Sequence, residues 1–402
     1  MDKKTLSLCM IVKNEAHQLE ELLRQVKEVV DEIVIVDTGS EDGTLEIAKH
    51  YTSLVFHFPW QNDFSAARNF ALDRARGDYF LWLDADDRLP EESVKKIAAL
   101  KDYFDGEKFF SFILEDLKGG SVQSRCYQVR CAPLRRNIRF RYKVHEELIS
   151  SLREAGCREV NTNIVIRHHG YQDPDTLREK MKRNLRLLLE DFAIRKDDVN
   201  YTLSLANSYL YFEQYERASG ILNDYLRSEN AHGCPRRALI EIYSLLAYIE
   251  ILKGNRSDAL RWLVKAEAIG VEGKIEWYRL GCAYESLGEL TRAIRAFDQT
   301  LRAPYILGSL PTIPEVSEWE VSLRRSVTFY RMGKFLEARE ALKEAIKFGT
   351  GVKEAVTWLF QHLLCLKEYG LVERLVIEEE ISKIISYWES HFYRGLCLLF
   401  KN

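Results

Sequence analysis

Apolar residues run almost unbroken from Leu6 to Val12, as expected of a strand buried on both faces. Leu19, Leu22, Leu23, Val26 and the pair Val29/Val30 then recur at helical spacing. Glu32 to Asp37 reads as a second strand, and Asp42-Gly43-Thr44 opens a helix through Ala48. Ser53 to Phe58 predicts a third strand, Ser65 to Arg76 a helix, and Asp78 to Leu83 a fourth strand. This alternation predicts an α/β domain with a parallel sheet covered by helices. Ligands of such sheets bind at the carboxyl ends of the strands, and Asp37 and Asp84 both fall there. From about residue 105 to 170 the pattern is looser and strand-rich. From Asp175 onward it is almost all helix, broken by short turns such as Lys253-Gly254-Asn255. The expected division is therefore an α/β domain over 1–172 and a helical domain over 173–402.

The helical half repeats. Trp277, Leu280, Gly281 and Tyr284 are followed by Ala293, Phe297 and Pro304, which is the tetratricopeptide pattern in residue type and spacing. Leu205, Ala206, Tyr209 and Ala218 form an earlier unit, and Leu246, Ala247, Ala259 and Leu263 the next. Phe329, Ala338, Leu342 and Ala345 form a fourth. Ala259 and Ala293 stand 34 residues apart, the expected period. Small residues let paired helices approach closely and aromatics fill the gaps between pairs. Such an array offers a concave surface for a protein or peptide, a dimer contact, or a scaffold.

Composition narrows the class. The 402 residues exceed one ordinary domain, and 46% hydrophobic with 30% charged residues is a globular balance. A net charge of -3 gives no basic field for nucleic acid. No apolar run reaches the roughly 20 residues of a membrane span. The charged start Met1-Asp2-Lys3-Lys4 and the break at Lys13-Asn14-Glu15 fit a first strand, not a secretory leader. The eight cysteines are scattered without a CxxC pair. They read as buried free thiols in a reducing cytoplasm, among them Cys9 and Cys397.

The chemistry gathers where the fourth strand ends. Asp84, Asp86 and Asp87 follow the apolar run Phe80-Leu81-Trp82-Leu83. Adjacent carboxylates repel and resist losing water. Either Asp86 or Asp87 caps the helix of Pro90-Glu91-Glu92-Ser93, or the group holds a hard divalent cation that shares substrate phosphates. Further along, Arg130, Arg135, Arg136, Arg139, Arg141 and Lys143 form a basic run. One or two of these would face a diphosphate or an acidic acceptor, and the rest would be solvated.

Four segments in order resemble the family 2 inverting glycosyltransferases with the GT-A fold. They are Ile11-Val12-Lys13-Asn14-Glu15, Asp37-Thr38-Gly39-Ser40 with Asp42-Gly43-Thr44, Phe64-Ser65 with Arg68-Asn69, and Leu83-Asp84-Ala85-Asp86-Asp87. Lys143-Val144-His145-Glu146-Glu147 and Ile166-Arg167-His168-His169-Gly170-Tyr171, followed by helical repeats, narrow it further. They look like the bacterial branch that includes the sublancin S-glycosyltransferase and carries tetratricopeptide-like repeats. The resemblance implies a GT-A domain followed by a repeat domain, and transfer of a sugar from a nucleotide sugar, expected to be UDP-linked. The implied acceptor is a protein or peptide side chain, O- or S-linked, and the repeats would recruit it or form a homodimer.

The resemblance assigns the nucleotide-sugar site to Val12, Asn14, Glu15, Asp37, Ser40, Arg68, Asn69, Asp84, Ala85 and Asp86. Asp37 would bind uracil or ribose, and Asp84 the ribose or donor sugar. Asp86 and His168 would hold Mn2+ or Mg2+, with imidazole favouring Mn2+. Inverting transfer needs a base for the acceptor's proton. Glu146 is the first choice, with Glu147 as the alternative and His145 to orient the base or touch phosphate. Neighbours on a strand face opposite ways, so only one of the two glutamates should face the site. Two rival readings are transfer to a polysaccharide or lipid-linked acceptor, and a repeat scaffold carrying an inactive nucleotide-sugar fold.

Overall fold

The structure is a computed structural model, and it describes residues 4–118, 120–169, 174–308 and 316–348. The apolar runs form the strands β1 (Leu6–Val12), β2 (Glu32–Asp37), β3 (Val55–His57) and β4 (Tyr79–Trp82). Between them lie α1 (Ala16–Val26), α2 (Thr44–Tyr51) and α3 (Phe64–Leu72). The segment after β4 supplies β5 (Asp87–Arg88), α4 (Glu91–Leu100), β6 (Lys108–Lys118), β7 (Ser121–Pro133), α5 (Ile149–Glu154) and β8 (Arg158–His168). One sheet holds all of these strands, in the order β3-β2-β1-β4-β7-β6-β8-β5. β1 to β4 pair in parallel, whereas β7 joins β4 antiparallel, so the sheet is mixed.

Side-chain alternation divides the core between the two faces of this sheet. Leu8, Met10, Ile35 and Leu81 pack with Leu19, Leu22, Leu23 and Val26 of α1. Cys9, Val34, Val36, Phe80 and Trp82 face the other way, with Ala71 and Leu72 of α3. Burying each large side chain of this kind contributes about 1.5–3 kcal/mol. The helix predicted to reach Arg76 ends at Leu72. The chain must turn there because Gly77 packs on Ser7, where an added Cβ would lie 2.6 Å from Oγ.

The rest is helical: α6 (Pro174–Arg195), α7 (Val199–Tyr211), α8 (Tyr215–Arg227), α9 (Arg236–Leu252), α10 (Arg256–Ala268), α11 (Lys274–Ser286), α12 (Leu290–Arg302), α13 (Glu318–Arg331) and α14 (Phe335–Phe348). β8 ends at His168 and α6 begins at Pro174. The chain divides into two compact units, with a break after Asn230. The first unit keeps α6, α7 and α8, and the second begins with α9. Each pair α7/α8, α9/α10, α11/α12 and α13/α14 buries its small residue: Ala218, Ala259, Ala293 and Ala338 are all inaccessible to solvent. Among the described residues no helix is long and apolar enough to cross a membrane. Their cysteines are free thiols, Cys9, Cys126, Cys131 and Cys157 being buried. Cys397 lies outside the described residues.

At Gly281 two repeat helices approach closely. A Cβ there would sit 2.5 Å from Cε1 of Phe297 across the α11/α12 contact. Gly281→Ala is therefore expected to lower stability. Overpacking costs about 1–3 kcal/mol and outweighs the ~1 kcal/mol gain in helix propensity. A lowered urea midpoint checks it; an unchanged midpoint would show that the Phe297 ring yields freely.

Candidate active site

The carboxyl ends of β1, β2 and β4 border a cavity of about 570 Å3, a size suited to a nucleotide-like ligand. Its wall takes Val12 and Glu15 from the end of β1 and the turn beyond, and Arg68 from α3. Asp84, Ala85 and Asp86 follow β4, His145 and Glu146 precede α5, and His168 ends β8. A second groove, of about 380 Å3, is lined by Leu100, Phe110, Ile164 and other residues without a carboxylate. The acid–base chemistry therefore belongs to the first.

The acidic turn is not a helix cap. α4 is preceded by Pro90 and has no side-chain cap. Asp87 instead folds back into the protein and is fully buried. Its Oδ2 accepts from the Asp84 N–H and from Arg130, both at 2.9 Å. Its Oδ1 lies 3.0 Å from Nδ1 of His168. Register fixes this contact, since β5 pairs Asp87 with His168.

Asp86, Asp87 and His168 each offer one ligand atom, all within 4.8 Å of one another. Burial pushes the Asp86 carboxyl up to about 7; Asp84, Asp87 and Glu15 add to the rise, and His168 opposes it. Burial opposes a charge on His168, yet the hydrogen bond to Asp87 and the charges of Asp86 and Asp87 raise it to about 9. Two carboxylates and an imidazole this close together are a donor set that suits a divalent cation. Asp87 meanwhile orients the imidazole through Nδ1, the usual outer partner of a metal-binding histidine.

Arg68 links the two ends of the cavity. Its Nε donates to Glu146 at 2.6 Å and its NH2 group to Asp84 at 2.9 Å. The guanidinium lies over Trp82, 4.3 Å from the ring centroid, and Arg130 stacks on the same ring at 3.9 Å. Burial works against the charge of Arg68, and Asp84 with Glu146 more than offsets it. Asp84 is itself drawn down to about 2: burial opposes its charge, but Arg68 and Arg130 prevail. Arg68, expected at the nucleotide-sugar site, pairs with two carboxylates in the structure.

Other candidates stand behind the wall. Asp37 is almost fully buried and accepts from the N–H groups of Gly39 and Ser40 at 3.0 and 3.1 Å. Asn14 donates its N–H to Ser40 Oγ at 2.9 Å, and its Oδ1 accepts from Glu41. These bonds tie the β1 and β2 turns together, leaving Thr38 to line the cavity. Asn69 makes a two-way pair with the Phe140 backbone, at 2.9 Å each way. Glu147 accepts from the Ser150 N–H at 2.9 Å and bridges the Arg141 backbone. Asn14, Asp37, Ser40, Asn69 and Glu147 are absent from the cavity wall.

The basic run is placed differently from the expectation. Arg130, Arg135, Arg136, Arg139, Arg141 and Lys143 do not line the cavity. Arg130 is buried against Asp87 rather than solvated, while Arg139, Arg141 and Lys143 pair with Asp73, Glu154 and Glu190. The cavity's cations are instead Lys13, Arg68 and, from α6, Lys180 and Arg183, with Asn184 beside them. The α6 residues were missed because that helix was assigned to the repeats. Their spacing is helical and legible, but nothing local says that this helix meets the strand ends. Trp60, Phe64, Trp82 and Gln128 also line the cavity. As apolar or neutral residues they carried no distinguishing signal.

The family described as Glycosyl transferase family 2 matches residues 7–105. A TPR repeat-containing protein of Synechococcus elongatus is 32% identical over 74% of this chain and 75% of its own length. The glycosyltransferase SunS of Bacillus subtilis is 24% identical over 65% of this chain and 62% of its own length, under two thirds of that protein. Among solved structures, S. aureus TarS in complex with UDP-GlcNAc is 17% identical, with a TM-score of 0.37 over 66% of this chain and 90% of its own. A MamA structure is 19% identical, with a TM-score of 0.34 over 44% of this chain and 95% of its own. Residues 7–105 are a family 2 glycosyltransferase domain, and tetratricopeptide-like repeats follow it in the chain.

Proposed function

We propose that the enzyme moves a sugar from a UDP-sugar to a protein or peptide side chain, with inversion, using Mn2+ or Mg2+. The observation that carries this reading is Glu146: it shares one cavity with Asp84, Asp86 and His168 and is held by Arg68 at 2.6 Å. The nucleoside would lie along Val12, Glu15 and Thr38, with Asp37 behind them shaping the turn. The acceptor's oxygen or sulfur attacks the anomeric carbon and gives its proton to Glu146. The anomeric C–O bond breaks, and its electron pair leaves on the β-phosphate oxygen of UDP. A divalent cation held by Asp86 and His168 would supply neutralisation of the charge developing on that diphosphate. The repeats would recruit the acceptor. A homodimer formed through them is a separate expectation, which a monomeric mass by light scattering would remove.

The test follows UDP release. Purified protein with Mn2+ is offered each common UDP-sugar, and slow hydrolysis of one donor is expected. Asp86→Ala should abolish that release, as should chelation of the metal. Hydrolysis undiminished in the variant would refute the metal role of Asp86. If no donor is turned over and UDP does not bind, the nucleotide-sugar reading falls.

A further inference from the structure

The geometry points to α6 as a clamp on the donor's diphosphate, with Lys180 and Arg183 binding its phosphate oxygens. This inference rests on the nucleotide-sugar reading and names the residues that would hold the phosphates.

Positions 180, 183, 184, 187, 188, 191 and 195 share one face of α6. The C-terminal half of that face is docked. Leu187 and Leu188 are inaccessible to solvent, and Asp191 and Arg195 are buried. Asp191 Oδ2 accepts from the Lys143 N–H at 2.9 Å. Arg195 donates to the Val144 carbonyl at 3.3 Å and stacks over Tyr142 at 3.8 Å. These bonds set the register of α6 against residues 142–144, immediately before His145 and Glu146. The N-terminal half of the same face then brings Lys180, Arg183 and Asn184 to the cavity wall. Arg183 lies over Phe64, 5.2 Å from the ring centroid.

Charge explains why the site needs them. The departing UDP carries more negative charge than one divalent cation removes, and basic side chains beside it would balance the remainder. Arg68 pairs with Glu146 and Asp84, Lys13 lines the same cavity from the turn after β1, and Arg183 also donates to Asn184 Oδ1 at 3.2 Å. Lys180 and Arg183 are the pair that one rigid helix delivers to the wall that also holds Asp86. They lie beyond residues 7–105, the span of the family match.

The experiment compares UDP and uridine binding by calorimetry in the presence of Mn2+, using the full chain. Lys180→Gln and Arg183→Gln keep the helix and most of each stem. Each should weaken UDP by about tenfold to a hundredfold, the range for a lost charged hydrogen bond, and leave uridine unchanged. Lys180→Arg should retain most of the UDP affinity. Unchanged UDP affinity in both glutamine variants overturns the clamp alone. So does an equal loss for UDP and uridine, which would mark a structural role. If the wild-type protein binds neither ligand, the nucleotide reading fails and the clamp with it.

Discussion

Glu146→Gln is expected to slow sugar transfer by about a hundredfold to ten-thousandfold, the usual contribution of a general base, while UDP affinity stays near wild type. Glutamine preserves an oxygen that can accept from Arg68 Nε, so the 2.6 Å contact and the stack on Trp82 should persist. Only the capacity to take a proton is removed. Glu147→Gln is the control. That side chain accepts from the Ser150 N–H and lies outside the cavity wall, so transfer should remain within a few-fold of wild type. A reversed pattern, with Glu147 essential and Glu146 dispensable, would overturn the assignment.

The second large effect is on stability. Arg130 is 1% exposed and its partner Asp87 is fully buried, 2.9 Å away. Removing one member of such a pair leaves an uncompensated charge and costs about 3–5 kcal/mol. Arg130→Met keeps volume and apolar stem but leaves Asp87 with only His168 and the Asp84 N–H. Thermal unfolding of the first unit should fall by on the order of 10 °C. Double replacement with Asp87→Asn should recover part of the loss, because it removes the orphaned charge. An unchanged unfolding temperature in Arg130→Met would show that water reaches Asp87 and screens it.

These two effects share a cause. The acidic turn after β4 is folded around Asp87, and Asp87 is satisfied by Arg130 and His168 from strands far along the chain. Asp84 and Asp86 are thereby left in the cavity wall. Arg68 then sets Glu146 and Asp84 on either side of one guanidinium, so the two carboxylates are positioned together. Stability and function are joined at Trp82, whose ring carries both guanidinium groups.

The sequence by itself determined what depends on local periodicity and short motifs. Strands β1 to β4, the helices between them, the helix pairs and the acidic turn were all readable, because burial repeats every two or 3.6 residues. Gly281 and Phe297 were visible for the same reason, as fixed positions in a repeat. The tertiary structure decided what depends on contacts across tens of residues. It brought Glu146 to the cavity wall and kept Glu147 away from it, because the Glu147 backbone pairs with Arg141 and its carboxylate binds the start of α5. It turned Asp37 and Asn69 inward, buried Arg130 and gave Asp87 to His168. It also carried α6 to the cavity. None of these is a pattern along the chain: each arises where one segment's unsatisfied charge or hydrogen bond meets its complement on another, and only the folded sheet brings those segments together.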